Sequence, residues 1–373
     1  MSSKLPLTDA FRRDHTYCTY CPKLCRFSCP VSTAQSRETT TPWGKMTSLH
    51  HVADGNLPFT PEYAATWYAC TGCMRCRTFC DHDNEVAKAL GTGRAEAVRA
   101  GTAPKAAYAI LDEHPARARR AEQAARGLFG DAACDARARV AFVPGCTASV
   151  VQPGQARDGF IATEALAEDD VAVVASGCCG LPLLEAGDPE GFVRAARGFV
   201  DRITASGCET AVFLDPGCLY ALRRVLPDLA PGITDEDSAR LEHLSEYAAA
   251  RRSRLSAVAQ EGPVRYQDPC RLGRGLGVYD APRAVLEAIL GRAPDEQHQR
   301  REAAECSGAG GQVPRTDPET ARAIAEERML DHRRAGGGQL VTACPGACHL
   351  LDEASGTNEV TSLASLLRRA LGK

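Results

Sequence analysis

Eight of the 18 cysteines lie within the first 80 residues, in two groups of four. The second group has the spacing of the bacterial ferredoxin motif, C-x2-C-x2-C-x3-C, and consists of Cys70, Cys73, Cys76 and Cys80. The first group has one extra residue before its third cysteine and consists of Cys18, Cys21, Cys25 and Cys29. In a reducing compartment, thiols at such spacing bind metal or carry out redox chemistry more often than they form structural disulfides.

The motif predicts two [4Fe-4S] clusters that exchange their fourth ligands. Three cysteines on one tight loop can reach three corners of a cube, but the fourth lies on the following helix, too far round to close the same site. In two-cluster proteins this fourth cysteine binds the other cluster. We therefore expect one cluster to be held by Cys18, Cys21, Cys25 and Cys80, and the other by Cys70, Cys73, Cys76 and Cys29.

Structural zinc is the main alternative for these cysteines, because paired C-x2-C elements also bind zinc. Zinc pairs are usually separated by about 12–20 residues. Here residues 30–69 separate the two groups, and each pair is followed by two further cysteines. This layout favours iron–sulfur clusters over zinc and over disulfides.

Eight of the ten remaining cysteines form two further sets of similar layout. The first set consists of Cys146, Cys178, Cys179 and Cys218, and the second of Cys270, Cys306, Cys344 and Cys348. The surrounding segments recur at a nearly constant offset: 178–180 with 306–308, 188–190 with 317–319, and 216–217 with 345–346. This recurrence predicts an internal duplication. We expect Cys134 and Cys208, which lie outside both sets, to be ordinary thiols.

Short β-branched runs alternate with helical stretches around these cysteines, which predicts βαβ units and a parallel sheet in each copy. The expected strands are residues 139–143, 171–175, 211–214, 264–266 and 339–343. Each cysteine falls where a strand ends and a helix begins, which is the edge of a parallel sheet at which ligands bind. Helix N-termini also stabilise thiolates. Each copy is therefore predicted to hold a metal site, either an iron–sulfur cluster or zinc.

Several segments resemble a known family. YQDPCRLGRGLGVYDAPRAVLEAI, followed by ECSGAGG and TACPGAC, closely resembles CCG-domain iron–sulfur oxidoreductases, and FVPGC, SGCCGLP and LDPGC match the same pattern in the first copy. These proteins are relatives of the B and D subunits of heterodisulfide reductase. They include iron–sulfur subunits of glycolate oxidase and of anaerobic glycerol-3-phosphate dehydrogenase. The eight-cysteine N-terminal part resembles the ferredoxin-like part of the D subunits.

The resemblance implies an α + α/β fold, with a helical two-cluster ferredoxin-like domain at 1–130 and duplicated Rossmann-like CCG domains at 138–258 and 262–373. It also implies an iron–sulfur electron-transfer subunit that is not catalytically complete alone. Its partner would be a flavoprotein dehydrogenase, an electron-transfer flavoprotein or a quinone-reducing membrane protein. The alternative is a catalytic subunit that itself reduces a disulfide at a CCG cluster.

Both copies depart from the five-cysteine family motif, C…CCG…CxxC. Asp215 stands where CxxC would begin in the first copy, and Ser307 replaces the second cysteine of CCG in the second copy. Cys344 and Cys348 are also one residue further apart than CxxC requires. Four soft ligands suit a simple cubane cluster or tetrahedral zinc better than a five-thiolate assembly. Electron relay is therefore favoured over disulfide reduction, with Asp215 and Ser307 as candidate oxygen ligands.

The composition excludes other classes of function. The 44 Lys and Arg against 47 Asp and Glu give a formal net charge of −3, without the basic excess of a nucleic-acid-binding protein. No apolar run approaches the ~20 residues that cross a bilayer, and we expect no secretory signal. The 373 residues predict a cytoplasmic protein of two or three domains, which reaches the inner face of a membrane only through a partner.

Overall fold

The computed structural model describes residues 4–133, 138–168, 170–232, 239–260 and 262–373. The chain forms two compact units, each built from three segments. Unit 1 consists of Met1–His114, Pro182–Gly191 and Glu302–Arg328, and unit 2 of Pro115–Leu181, Phe192–Arg301 and Met329–Lys373. The sequence predicts three domains that follow one another along the chain, at 1–130, 138–258 and 262–373. These boundaries stay a prediction.

Unit 1 is helical. Its elements are α1 (Arg12–Tyr20), α2 (Pro30–Gln35), α3 (Pro42–Ala53), α4 (Pro61–Tyr68), α5 (Arg75–Thr78), α6 (Val86–Arg99), the first part of α7 (Lys105–Phe129) and 3-10 turns at Pro6–Phe11, Arg26–Ser28 and Glu38–Thr40. Proline opens α2, α3 and α4, where its missing N–H costs no helical hydrogen bond. The side chains of Leu49, Trp67 and Leu90 are fully buried in one core. This core anchors the loops that contain the cysteines.

Residues 302–328 return to unit 1 and pack beside the loop that follows α4. The Arg75 guanidinium donates from Nε to the carbonyl of Ala303 (3.0 Å), which lies 228 residues further along the chain. Gly311 has a φ of +65°, and its backbone is so close to the Cys70 carbonyl that a Cβ atom there would collide with that oxygen. The second cysteine loop is thus completed by a segment from the far end of the sequence.

Unit 2 contains two four-stranded parallel sheets with the orders β2-β1-β3-β4 and β6-β5-β7-β8. The strands of the first are β1 (Val140–Val143), β2 (Val171–Val173), β3 (Thr210–Phe213) and β4 (Arg240–His243); those of the second are β5 (Val264–Gln267), β6 (Asp295–Glu296), β7 (Gln339–Thr342) and β8 (Val360–Ser362). The two orders are the same. This confirms the duplicated Rossmann-like α/β fold expected from the sequence.

Helices follow and connect these strands. They are α8 (Cys146–Val150), α9 (Pro153–Leu166), α10 (Leu181–Ala186), α11 (Pro189–Ala205), α12 (Pro216–Tyr220), α13 (Leu226–Leu229), α14 (Leu244–Ala249), α15 (Asp280–Leu290), α16 (Val313–Thr316), α17 (Pro318–Arg334), α18 (Pro345–Ser355) and α19 (Leu363–Ala370), with α10, α11, α16 and α17 wholly or partly in unit 1. Among the described helices, none combines the length and the apolar character that a membrane span requires.

Candidate metal centres

The first cysteine group of unit 1 includes a thiol from the second motif. Burial raises the pKa of Cys18 to about 12; a hydrogen bond from Asn84 (Nδ2–Sγ 3.2 Å) opposes this shift, and Cys25, Cys80 and Cys21 reinforce it. Burial raises the pKa of Cys25 to about 11, and Cys80, Cys21 and Cys29 raise it further. The structure therefore brings Cys80 next to the first three cysteines, in the grouping expected for one cluster. The ligand assignment itself stays a prediction.

The second group shows the reciprocal arrangement. Burial raises the pKa of Cys76 well above its usual range, and Cys73, Cys70 and Cys29 raise it further, in that order. Cys29 belongs to the first motif but lies with the second, where the ammonium of Lys45 is 3.4 Å from its Sγ atom. The two groups adjoin each other, since Cys25 is also a neighbour of Cys76.

The donor set of unit 1 fits iron–sulfur clusters, because it consists of soft thiol ligands in groups of four. The raised pKa values of Cys18, Cys25 and Cys76 mean that these thiols are protonated in the metal-free protein. Metal binding must therefore release protons. Over the described ranges, no three Cys, His, Asp or Glu side chains surround one point as a single metal ion requires.

The first copy in unit 2 gathers its four cysteines at the carboxyl edge of the first sheet. Side-chain hydrogen bonds join Cys146 to Cys178, Cys178 to Cys179, and Cys179 to Cys218. All four are buried. Gly145, with a φ of +79°, lets the chain turn into α8, and a Cβ atom there would lie 3.3 Å from Cys218 Sγ. These thiols form one continuous cluster at the crevice between β1 and β3, where α/β sheets bind ligands.

Two charged side chains adjoin this cluster. Arg117, on α7, places Nη2 3.6 Å from Cys146 Sγ. The neighbouring Cys146 is the main cause of the raised pKa of Arg117, and Cys178 and Asp215 contribute. Asp215 caps α12, where its Oδ1 accepts from Gly217 N at 2.8 Å. A metal here would therefore have both a cation and a carboxylate beside it.

The second copy is arranged differently. The pKa of Cys344 is raised by burial and by the nearby Asp215 and Cys270, so Cys344 and Cys270 lie together. Within the described part of the chain, no contact links Cys348 to Cys344 or Cys270. Burial raises its pKa to about 12, and the groups acting on it are Gln155 and Asp352.

The remaining cysteines lie elsewhere. Cys306 belongs to unit 1, where its Sγ atom is 3.4 Å from Thr71 Oγ1, so the ligand set expected for the second copy is divided between the units. Cys208 is a buried thiol that contacts the Ile203 carbonyl at 3.8 Å. Cys134 lies outside the described residues.

Two protein families match the chain. Residues 14–84 match the 4Fe-4S dicluster domain, and residues 140–223 and 264–352 each match the cysteine-rich CCG domain. The chain belongs to the CCG-domain iron–sulfur oxidoreductases of the heterodisulfide reductase D and B type. It is an iron–sulfur subunit homologous to subunits of multi-subunit reductases.

Relatives extend over most of the chain. The D subunit of the dihydromethanophenazine:CoB–CoM heterodisulfide reductase of Methanosarcina barkeri is 26% identical over 300 residues, which cover 76% of this chain and 72% of the relative. The B subunit of the CoM/CoB fumarate reductase of Methanothermobacter marburgensis is 26% identical over 316 residues, which cover 81% of this chain and 61% of the relative. A hypothetical protein from Helicobacter pylori has a similar crystal structure, with a TM-score of 0.57 at 9% identity, over 98% of this chain and 76% of that one. This last likeness concerns the fold alone.

Proposed function

We propose that this chain is the electron-transfer subunit of a larger oxidoreductase and holds two [4Fe-4S] clusters in unit 1. The observation that carries the proposal is the position of Cys80 beside Cys18 and Cys25, and of Cys29 beside Cys76. An exchange of the fourth ligand between clusters is typical of two-cluster ferredoxins. The clusters would be held by Cys18, Cys21, Cys25 and Cys80, and by Cys70, Cys73, Cys76 and Cys29.

When bound, each cluster supplies reversible one-electron transfer, and the protein positions and tunes it. Asn84 donates to Cys18 Sγ at 3.2 Å, and Gly72 N donates to Cys70 Sγ at 3.4 Å. Hydrogen bonds of this kind stabilise negative charge on sulfur. The first copy in unit 2 offers a further site for an iron–sulfur cluster or zinc at Cys146, Cys178, Cys179 and Cys218. In the second copy, Cys270 and Cys344 lie together and are the ligands that we propose for a site there.

The partner that we propose is a flavoprotein dehydrogenase or an electron-transfer flavoprotein, with a quinone-reducing membrane protein as the other candidate. Homologues named as reductase subunits support a multi-subunit assembly. Three of the four thiols of the first group are partly exposed, against two of the four in the second group. We therefore take the first group as the nearer one to a docked partner. We place the assembly in the cytoplasm, at the inner membrane face where the partner is a membrane protein, because closely spaced thiols stay reduced there.

Metal analysis of the protein purified without oxygen tests this function. We expect about eight irons and as many sulfides from unit 1, plus about four for each cluster held in unit 2. The C80S variant should lose about four irons, since one cluster lacks a ligand, while the C208S variant should lose none. A wild-type preparation that contains zinc and no sulfide would overturn the proposal.

Disulfide reduction at the first copy is the second candidate, favoured by the contact of Cys178 with Cys179 and by the cation of Arg117 beside them. Such a reaction would convert one disulfide and two protons into two thiols, with two electrons delivered through unit 1. The C178S variant should then lose thiol formation but keep the paramagnetic signals of the unit 1 clusters. Wild-type protein that is fully loaded and accepts electrons, yet releases no thiol from any disulfide, contradicts this candidate.

A further inference from the structure

Lys45 is a buried cation without a carboxylate partner among the described residues. It lies on α3, and only 1% of the residue is exposed. The hydrogen bond of its ammonium among the described residues joins Nζ to Cys29 Sγ at 3.4 Å. The side chain is therefore directed into the second cysteine group.

A buried ammonium is unfavourable unless an anion compensates it. Protonated thiols supply no such charge. Four thiolates around an oxidised [4Fe-4S] core leave two negative charges, and one-electron reduction adds a third. The position of Lys45 therefore suits an anionic cluster, and its attraction is stronger for the reduced form than for the oxidised one.

The first cysteine group has a different environment. The polar group that contacts Cys18 is the neutral amide of Asn84. Two cations of its loop, Lys23 and Arg26, both pair with Glu38 at the surface, at 3.2 and 2.7 Å. Paired surface cations are screened by water and salt, and they act weakly on a buried centre.

We propose that Lys45 selectively raises the reduction potential of the cluster expected at Cys29, Cys70, Cys73 and Cys76. Burial excludes water from this site and by itself disfavours the extra negative charge of the reduced state. Lys45 offsets that effect, so electrons that enter through the more exposed group can be held at the less exposed one, which contains the buried Cys29 and Cys73. This role rests on the proposed function, because it requires both clusters.

The test is a redox titration of the full-length protein, followed by electron paramagnetic resonance after iron and sulfide have been measured. The K45M variant removes the charge at similar length, and K45R keeps it. K23M removes a paired surface cation from the same unit and is the matched control. We expect K45M to lower one of the two unit 1 midpoints by at least tenfold in the one-electron equilibrium constant, about 59 mV. K45R and K23M should leave both midpoints near the wild-type values.

Each outcome is decisive. Two unmoved midpoints in a fully loaded K45M variant, or an equal shift in K23M, would overturn the role of Lys45. A K45Q variant guards against misfolding: if K45M and K45Q both lose half of the unit 1 iron while K45R keeps it, Lys45 serves cluster assembly and the tuning role is wrong. Wild-type protein without iron would instead refute the proposed function.

Discussion

The two CCG copies share one backbone plan but place their thiols differently. Both sheets have the same strand order, and Gly180 and Gly308 have nearly the same φ, +83° and +88°. Yet the first copy joins its four cysteines in one hydrogen-bonded chain, whereas Cys348 of the second copy faces Gln155. A duplicated fold therefore does not by itself preserve a duplicated site.

A shift of one residue explains part of this difference. Aligning Pro216-Gly217 with Pro345-Gly346 places Cys218 opposite Ala347, and Asp215 opposite Cys344. Cys348 is thus one residue beyond the position that faces the site. One residue turns a helix by about 100°, which directs its side chain elsewhere.

The largest effect that separates the copies should come from removing one thiol in each. The C179S variant breaks the continuous cluster of the first copy, and we expect loss of all the metal bound there. C348S should leave the metal content of the second copy unchanged, because Cys348 contacts Gln155 rather than other thiols. Metal analysis of both variants checks this, with C208S as the control. Equal losses in C179S and C348S would show that the copies bind metal alike.

Moving the thiol back should make the second copy resemble the first. In the double variant A347C/C348A, the new thiol occupies the position equivalent to Cys218. We expect at least tenfold slower loss of metal to a chelator from the second copy, because its site gains a ligand. The single variant C348A is the control and should behave like the wild type. No difference between the double variant and C348A would refute the one-residue explanation.

The copies should also differ in their response to pH. His243 ends β4 and is buried, and burial lowers its pKa to about 4, against weaker opposing hydrogen bonds to Leu214 and Ala343. A lowered histidine pKa gives stability that is complete above about pH 6.5 and lost as pH falls towards 4. At pH 5 the loss for the first sheet should be about 2 kcal/mol. The equivalent residue in the second sheet, Ser362, does not titrate.

Hydrogen exchange of peptides from β3 and β7 at pH 7 and pH 5 measures this difference, after correction for intrinsic exchange rates. H243N retains a residue that caps α14 but removes the titration, so its β3 peptide should lose the pH dependence. Equal acid sensitivity of β3 in H243N and the wild type would place the titrating group elsewhere.

The smallest effect should come from the cap of α19. Ser362 accepts a hydrogen bond from Ser365 N at 3.0 Å. The S362A variant should destabilise the second copy by about 1 kcal/mol through loss of this cap, without changing its metal content. Thermal unfolding and metal analysis check the two parts, with S362N as the conservative control. A loss of metal in S362A would mean that α19 also supports the site.

The central strands of both sheets were predictable from sequence, and the polar edge strands were not. β1, β3, β5 and β7 lie within expected strands or within one residue of them, because buried β-branched runs identify them. β4 and β8 are edge strands in these sheets, with partly exposed sequences RLEH and VTS. Their pairing depends on a neighbouring strand that is distant in the sequence, which periodicity does not reveal.

Motif spacing did not identify three polar neighbours of the cysteines, namely Lys45, Asn84 and Arg117. They lie far in sequence from the thiols that they contact, so only the tertiary fold brings them together. Lys45 nevertheless has a local signal. It lies four residues before Leu49, on the buried face of α3, and a charged residue on an apolar face is a reason to look for a buried counterion.

Unit 1 combines early and late segments of the sequence, and this determines when it can be completed during translation. Arg75 contacts Ala303, and Gly311 contacts Cys70, so this unit is complete only after Arg328 has left the ribosome. The eight thiols of its first 80 residues are synthesised long before the segment that packs beside the second cysteine loop. Iron and sulfide delivered before that moment would meet an open, solvent-accessible loop, which makes cluster insertion an event that competes with oxidation during translation.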